Sequence, residues 1–212
     1  MSENDRKREL IIENAMKRFS RFGVQKTMMN EIADDMAVTQ PSLYYYFPDK
    51  TSLIVAVVEK VLKDYFSDLE LHVKGLTSLR EVFYKVIEAR RAFLERYFML
   101  HLTDTPTDAV IRESCASVLS ASREKEVSIV ANFIKESASK GEISAADPKK
   151  TSSLYLDSIT GLSMWVISRS EKKIFPESEQ FEVVVARQQE LAEIFLRGLK
   201  YDENQTGSNR GL

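Results

Sequence analysis

The sequence predicts an all-α protein of about nine helices, with a three-helix unit at the N-terminus and a larger helical domain after it. Apolar residues recur three or four positions apart along most of the 212 residues, which is the period of an amphipathic helix. No stretch alternates as a half-buried strand would. A hydrophobic content of 43% and a charged content of 29% are typical of a globular protein. We expect domains at 1–48 and 49–201, and a polar, disordered tail at 202–212.

Helix 1 is predicted from about Arg6 to Phe22. Gly23 ends it, because glycine readily takes the positive φ of a helix C-terminus. One face of this helix is apolar and is expected to contribute to a small core. The residues of that face are Ile12, Ala15, Met16 and Phe19.

The stretch from Met28 to Phe47 predicts two short helices joined by a tight turn. Ile32 and Ala33 give the first helix a buried face. Leu43 and Phe47 lie four positions apart and give one to the second. Two short helices with these faces are a helix-turn-helix pattern, in which the second helix can enter a DNA groove.

Polar residues at the helix starts support this pattern. Thr27 is placed to cap the first helix and Thr39 to cap the second. Pro41 falls in the first turn of the second helix, where a missing N–H has little consequence. The residues left to point outward, toward a DNA groove and its phosphates, are Thr39, Gln40, Ser42, Tyr44 and Tyr46.

Charge is unevenly distributed. The chain has a formal net charge of −2, which excludes a protein that binds nucleic acid through overall positive charge. Residues 1–26 nevertheless carry seven basic and four acidic side chains, a local excess of three positive charges. That excess suits a DNA-facing end, although charge alone is more typical of a solvated helix face.

The single cysteine, Cys115, excludes an intramolecular disulfide or a zinc–cysteine cluster. It is expected to be a small buried side chain in a reducing compartment. The start of the chain is charged and no apolar run is long enough to cross a membrane. The sequence therefore predicts a cytoplasmic protein, and it contains no cofactor or metal motif.

The later helices are predicted from apolar periodicity and from capping residues. Helix 4 is apolar on more than one face, which is typical of a connector between two packed neighbours. The predicted bounds are helix 4 from Asp49 to Gly75, helix 5 from Ser78 to His101, helix 6 from Pro106 through Leu119, helix 7 from Arg123 to Lys140, helix 8 from Asp147-Pro148, a loop from Lys172 to Ser178, and helix 9 from Glu179 to Leu199.

The N-terminal residues resemble the signature of TetR-type transcriptional regulators. The chain departs from that signature at the turn glycine, which is Ala37, at the glycine after the cap, which is Pro41, and at a frequent histidine, which is Tyr46. The later landmarks of the family are matched only weakly. The matching residues are Ala15, Phe19, Gly23, Thr27, Ile32, Ala33, Thr39, Leu43, Tyr44, Phe47 and Lys50.

The resemblance implies contacts with the DNA backbone. Thr27, Thr39 and Tyr44 would donate to phosphates through hydroxyl groups or helix N-terminal amides. Lys50, at the start of helix 4, would pair with a phosphate as a point charge.

The resemblance also implies contacts with bases. Gln40, Pro41 and Ser42 would face base edges in the major groove, where glutamine can bond adenine and proline can touch a thymine methyl. Tyr45 and Tyr46 would contact the DNA backbone, the protein core, or both.

In the family, the last two helices of two chains form a dimer, and the larger domain often binds a small, usually apolar molecule that releases the DNA. The resemblance therefore implies a homodimer through helices 8 and 9, in which small residues of helix 8 and an apolar seam on helix 9 would pack. Aromatic residues could line the effector pocket or belong to the core, and Trp165 could equally lie in the dimer interface. The candidate pocket residues are Phe93, Tyr97, His101, Tyr155 and Trp165.

Two other classes of protein remain as alternatives. An enzyme is disfavoured because His72 and His101, the only histidines, have no ligand or catalytic partner at a recognisable spacing. A helical interaction adaptor would explain the amphipathic helices equally well. It would not explain outward Gln, Ser and Tyr residues on a capped short helix that is followed by Lys50.

Overall fold

The computed structural model describes residues 2–97, 109–169 and 178–200, and every regular element within them is an α-helix. This confirms the all-α fold class. The eight helices are α1 (Glu3–Phe22), α2 (Met29–Asp35), α3 (Gln40–Tyr46), α4 (Lys50–Val73), α5 (Leu79–Tyr97), α6 (Ala109–Ser139), α7 (Pro148–Arg169) and α8 (Ser178–Leu199).

The predicted helices 6 and 7 form one helix, α6, of 31 residues, so the prediction of a break near residue 120 is wrong. Ser120 to Arg123 contains neither glycine nor proline, and nothing there ends a helix. Cys115 and Val127 are both buried, yet twelve residues turn a helix by about 120° beyond whole turns. The buried face therefore moves around α6 along its length. In the sequence, this shift in the apolar pattern looks like the start of a second helix. The predicted helices 8 and 9 are α7 and α8.

Local capping explains two helix starts. Asp5 N donates to Ser2 Oγ at 3.1 Å and Ser2 N donates to Asp5 Oδ2 at 3.0 Å, a capping box that starts α1 before the predicted Arg6. Lys150 N donates to Asp147 Oδ1 at 3.0 Å, which confirms the predicted cap of helix 8. The predicted loop at 172–178 ends one residue too late, because Ser178 is the first residue of α8. The rest of that loop, His101, Pro106 and the tail at 202–212 lie outside the described residues.

The chain divides into two compact units. The first contains Met1–Asp68 and Ala92–Ser122, and the second contains Leu69–Arg91 and Arg123–Leu212. The division falls inside α4, α5 and α6, because each of these helices packs partly in each unit. The predicted domain boundary at residue 48 does not coincide with this division, and it stays a prediction.

The core of the first unit joins α1, α2 and α3 to the beginning of α4. Each of these helices contributes one apolar face, as the periodicity of the sequence predicts. The largest part of this core consists of Ile11, Ile12, Ala15, Phe19, Ile32, Ala33, Leu43, Phe47, Leu53 and Val57.

In the second unit, α7 packs against α8. The seam predicted on helix 9 includes Val184, Gln188 and Ala192, and all three are buried within the chain's own second unit. Gln188 Nε2 donates to the Ile159 carbonyl oxygen and to Ser163 Oγ, at 2.8 Å in each case. For these three residues the prediction of packing on a partner chain is wrong, because the same periodicity also suits packing on a neighbouring helix. The dimer through helices 8 and 9 stays a prediction.

Candidate nucleic-acid interface

The turn between α2 and α3 is built around Ala37. Its φ is +51°, in the left-handed region that glycine usually occupies. Ala37 N donates to the Asp34 carbonyl oxygen and Val38 N donates to that of Ala33, both at 3.0 Å. An alanine in this conformation costs about 1 kcal/mol. The turn forms despite that cost, because these two hydrogen bonds and the burial of the flanking helices hold it.

The start of α3 follows its sequence signals. Thr39 is the N-cap, and its side chain accepts a hydrogen bond from Ser42 N at 3.4 Å. Pro41 lies in the first turn, and Leu43 and Phe47 are buried beneath the helix. These contacts confirm the predicted cap and the predicted inner face, and they fix which residues of α3 face outward.

The outer face of α3 carries two tyrosines. The side chain of Tyr45 is 77% exposed and that of Tyr44 is 40% exposed, and Gln40 and Pro41 are exposed at the helix start. Tyr46, which was expected to point outward, is half-buried and packs against the core. The outward prediction for Tyr46 is therefore only partly right, since its position on the helix turns the ring toward α1.

Thr27 occupies a different role from the one predicted. It is 1% exposed, and its hydroxyl donates to the Gly23 carbonyl oxygen at 2.9 Å. The N-cap of α2 is Met28, whose backbone N–H donates to the Glu31 carboxylate at 2.7 Å. The prediction that Thr27 caps this helix is wrong. Its hydroxyl closes the turn after α1, so it gives no support to a phosphate contact through that group.

Lys50 is the first residue of α4, where a positive charge opposes the helix dipole. Its Nζ donates to the Gln25 carbonyl oxygen at 3.2 Å, and Ser52 N donates to the Asp49 carboxylate at 2.6 Å. The hydrogen bond ties the start of α4 to the loop after α1, and the phosphate contact expected of Lys50 stays a prediction. The exposed Lys26 adjoins Gln25 in the chain, and sequence reasoning counted it only within the net charge.

An ion pair network, which sequence reasoning missed, fixes α2 against α1. The Arg18 guanidinium lies 2.9 Å from Glu31 and 2.7 Å from Asp35. The N–H of Met28 and the guanidinium together hold the pKa of Glu31 below its ordinary value. Arg18 and Asp35 are 17 positions apart, and no local pattern predicts their pairing.

Residues 11–57 match the family model described as bacterial regulatory proteins, tetR family. They include the whole helix-turn-helix and the start of α4. These residues belong to the TetR family of transcriptional regulators, and the similarity of the chain to other transcriptional regulators supports the same family. The chain's expected resemblance to TetR-type proteins is thereby confirmed, and the chain is a DNA-binding regulator.

Relatives of this TetR-family chain support the assignment. It is 23% identical over 146 residues to the transcriptional regulator RutR of Escherichia coli K12. The aligned residues make up 68% of this chain and 67% of RutR. It is 44% identical over 46 residues to the probable acrEF/envCD operon repressor of the same strain, covering 22% and 21% of the two chains. A crystal structure of a transcriptional regulator from Cytophaga hutchinsonii superposes with a TM-score of 0.77 at 28% identity, covering 91% of this chain and 98% of that one.

Two of the candidate pocket residues lie together in the first unit. The ring centres of Phe93 and Tyr97 are 5.2 Å apart, and that of Tyr65 is 5.3 Å from Phe93. The Tyr97 hydroxyl donates to Asp64 at 3.0 Å. Burial, and then the adjacent Asp64 carboxylate, raise the pKa of Tyr97 to about 12.

The other described candidates belong to the second unit. Tyr155 is fully buried, stacks on Phe83 at 3.8 Å between ring centres, and donates to the Phe83 carbonyl oxygen at 3.3 Å. Burial raises the pKa of its hydroxyl. Trp165 is half-exposed beneath the Arg187 guanidinium, 5.6 Å from the ring centre. His101 lies outside the described residues. These surroundings favour a core role for Tyr155 and a surface role for Trp165.

The described residues contain no candidate for a membrane-spanning helix or for a metal site. Their helices include none with the length and apolar character needed to span a membrane. Their His, Cys, Asp and Glu side chains form no group of three or more that could hold a metal ion.

Proposed function

We infer that this regulator is a cytoplasmic repressor that binds a palindromic operator as a homodimer and releases it when a small molecule binds. The observation that carries the inference is the outer face of α3. The residues Leu43 and Phe47 are buried beneath this helix, whereas Tyr44 and Tyr45 are exposed to solvent. Lys50, the first residue of α4, follows four positions after the end of α3. A short supported helix with outward donors fits the major groove of DNA.

The roles of the outward residues follow from their chemistry. Gln40, Pro41 and Ser42 would read base edges, because an amide can bond adenine bidentately and proline can touch a thymine methyl. The phosphate contacts would come from the cap and from the donors around it. Those donors are Thr39, Tyr44, Tyr45, Tyr46 and Lys50.

Exposed apolar side chains on α7 and α8 support a homodimer. Leu154, Gly161 and Trp165 follow each other at intervals of seven and four along α7, which places them on one face. A Cβ added at Gly161 would meet nothing within 4 Å, so this face is open. On α8, Val183 and Ile194 are also exposed and share a face. Contiguous exposed apolar residues are typical of protein interfaces.

If this surface of two chains forms one interface across a two-fold axis, the dimer would present two α3 helices to one duplex, which is the reason to expect a palindromic operator. The acrEF/envCD relative, which is named as a repressor, supports repression as the direction of control. Gel filtration with light scattering should give a mass near twice the 24.3 kDa of one chain. A monomer at micromolar concentration would contradict the dimer.

An aromatic group in the first unit supports release by a small molecule. Tyr65, Phe93 and Tyr97 form an aromatic group in the first unit, the unit that also contains α3. A ligand that binds one arrangement of these helices better than another would shift the population away from the DNA-binding form. A thermal-shift screen of small apolar molecules would identify such a ligand, because binding to the folded state raises the melting temperature.

Salt-titrated binding to duplex DNA tests the central claim. The affinity of a DNA-binding protein falls steeply as salt rises, because each phosphate contact releases counterions. An interaction adaptor without DNA binding would show no such dependence. We expect a steep slope for mixed-sequence duplexes and tighter binding to an operator selected from a random library. A flat slope would refute the proposed function.

A further inference from the structure

The first turns of α1 contact the C-terminal end of α3 through positive charges. The Lys7 ammonium lies over the ring of Tyr46, with Nζ 5.9 Å from its centre. The Arg8 guanidinium lies 5.0 Å from the ring centre of Phe47. The Tyr46 ring in turn meets the exposed Tyr45 edge to face at 5.1 Å. One aromatic ring, that of Tyr46, thus lies between Lys7 and Tyr45, the most exposed tyrosine of α3.

Among the described residues, the positive charge of Lys7 differs from other positive charges in the same unit in having no carboxylate paired with it. Arg18 pairs with Asp35 at 2.7 Å and Lys60 pairs with Asp64 at 3.0 Å, so both charges are neutralised inside the protein. Within residues 2–97, 109–169 and 178–200, no carboxylate forms an ion pair with Lys7. An aromatic face attracts a cation without neutralising it. The charge of Lys7 is therefore kept in place and available.

We propose that Lys7 is a further DNA-contact residue, whose ammonium pairs with a backbone phosphate beside the groove that α3 enters. This inference rests on the proposed DNA-binding function. An ammonium group has three N–H donors, and the ring of Tyr46 occupies one side of it. Lys7 is half-buried, and the ring covers only one side of its ammonium, so donors remain from which a phosphate oxygen can accept. α1 thereby gives the interface a point of attachment in addition to α3 and to Lys50 of α4.

The contact has a consequence for orientation. A phosphate contact carries no sequence information of its own, but it sets the register of the reading helix on the duplex. Because the ring of Tyr46 belongs to α3 itself, the phosphate held by Lys7 is positioned directly relative to that helix. Lys7 therefore acts on DNA affinity, and Tyr46 acts by positioning Lys7.

The same helix offers a matched control. Lys17 carries the same charge, is exposed, and lies two positions after the buried Ala15. Two positions turn a helix by about 200°, so Lys17 points away from the core that Ala15 faces. Lys17→Ala removes one positive charge from α1 without touching the end that contacts α3.

The experiment measures the affinity of the full-length protein for a mixed-sequence duplex as a function of salt. Each lost phosphate contact should flatten the slope of log affinity against log salt by about 0.9 per protomer. Raising the salt from about 50 to about 200 mM weakens the binding of both proteins. The factor by which affinity falls should be about 3.5 times smaller, per protomer, for Lys7→Ala than for the unaltered protein. Lys7→Arg should keep the original slope, and Lys17→Ala should keep it as well.

A second comparison tests the part played by the ring. In a Tyr46→Leu background, Lys7→Ala should flatten the slope by less than it does when the ring is present, because the ammonium is no longer held. An equal change in both backgrounds would overturn the positioning role of Tyr46. Melting temperatures recorded for every variant identify a loss of folding.

The outcomes separate the two proposals. If the unaltered protein has a flat salt slope, the proposed function fails and this inference fails with it. A steep slope that Lys7→Ala leaves unchanged overturns the inference alone. A lower melting temperature with an unchanged slope also overturns it, because the contact with Tyr46 would then serve only to pack α1 on α3.

Discussion

The outer face of α3 is polar, whereas the outer faces of α7 and α8 are apolar. The outer face of α3 presents hydroxyl and amide groups, from Gln40 to Tyr45, with Lys50 close by in the chain. The outer faces of α7 and α8 present apolar side chains, among them Met164, which is 68% exposed, and Ile194. Donors and positive charge suit a polyanion, whereas apolar area suits another protein surface. The contrast supports the proposal that the first surface binds DNA and that the second binds another copy of the chain.

The largest expected effect tests the apolar surface. Ile194→Glu should weaken dimerisation by at least about 100-fold, because burying such a side chain contributes about 1.5–3 kcal/mol and a two-fold interface contains it twice. Sedimentation equilibrium measures the dissociation constant. Leu71→Glu, at an equally exposed apolar residue of α4, is the matched control and should leave the dimer intact. Equal dissociation by both variants would remove α8 from the interface.

The next effect tests base reading on α3. Gln40→Ala should weaken binding to a selected operator by about 1–3 kcal/mol and relax the preference at one base pair. Binding to mixed-sequence duplex should change little, since an amide that reads a base contributes little to non-specific affinity. Fluorescence anisotropy on both duplexes gives the comparison. Equal losses on operator and mixed-sequence DNA would refute a base-reading role for Gln40.

A smaller and more uniform effect is expected at Lys50. Lys50→Ala should weaken binding to every duplex and flatten the salt slope by about 0.9 per protomer. Lys74→Ala removes the same charge from an exposed position just after α4 and should leave the slope unchanged. A change confined to the operator, with an unaltered salt slope, would contradict a phosphate contact by Lys50.

The smallest effect concerns the turn that presents α3. Ala37→Gly should stabilise the protein by at most about 1 kcal/mol, because glycine takes a φ of +51° without the steric cost that alanine carries. Chemical denaturation followed by circular dichroism measures the change. Ala33→Gly, in the buried face of α2, should instead destabilise by about 1 kcal/mol. A fall in stability at residue 37 would mean that the alanine side chain makes a contact worth more than the strain.

The two surfaces also differ in how well sequence reasoning located them. Around α3, the cap at Thr39, the proline in the first turn and the buried pair Leu43 and Phe47 were all predicted correctly. On α8, the periodic residues predicted for a partner chain, including Gln188, are buried against the chain's own helices. Periodicity identifies an inner face, but it does not say which helix covers that face.

Other errors have equally physical causes. The break predicted within α6 came from a buried face that moves around the helix, and Ser120 to Arg123 has no residue that stops one. Thr27 was assigned a cap because it precedes α2, yet its hydroxyl bonds back to Gly23. Threonine side chains can bond in either direction along the chain, so the residue type alone does not decide between these roles.

The sequence by itself determined the helical class, the helix-turn-helix and most helix starts, because those depend on contacts within about four positions of the chain. The tertiary structure alone decided that Arg18 joins α1 to α2, that Tyr46 turns toward Lys7 and that Gln188 faces inward. Each of these depends on which helices meet and at what rotation. That is settled by burial across the whole unit, and no short stretch of sequence records it.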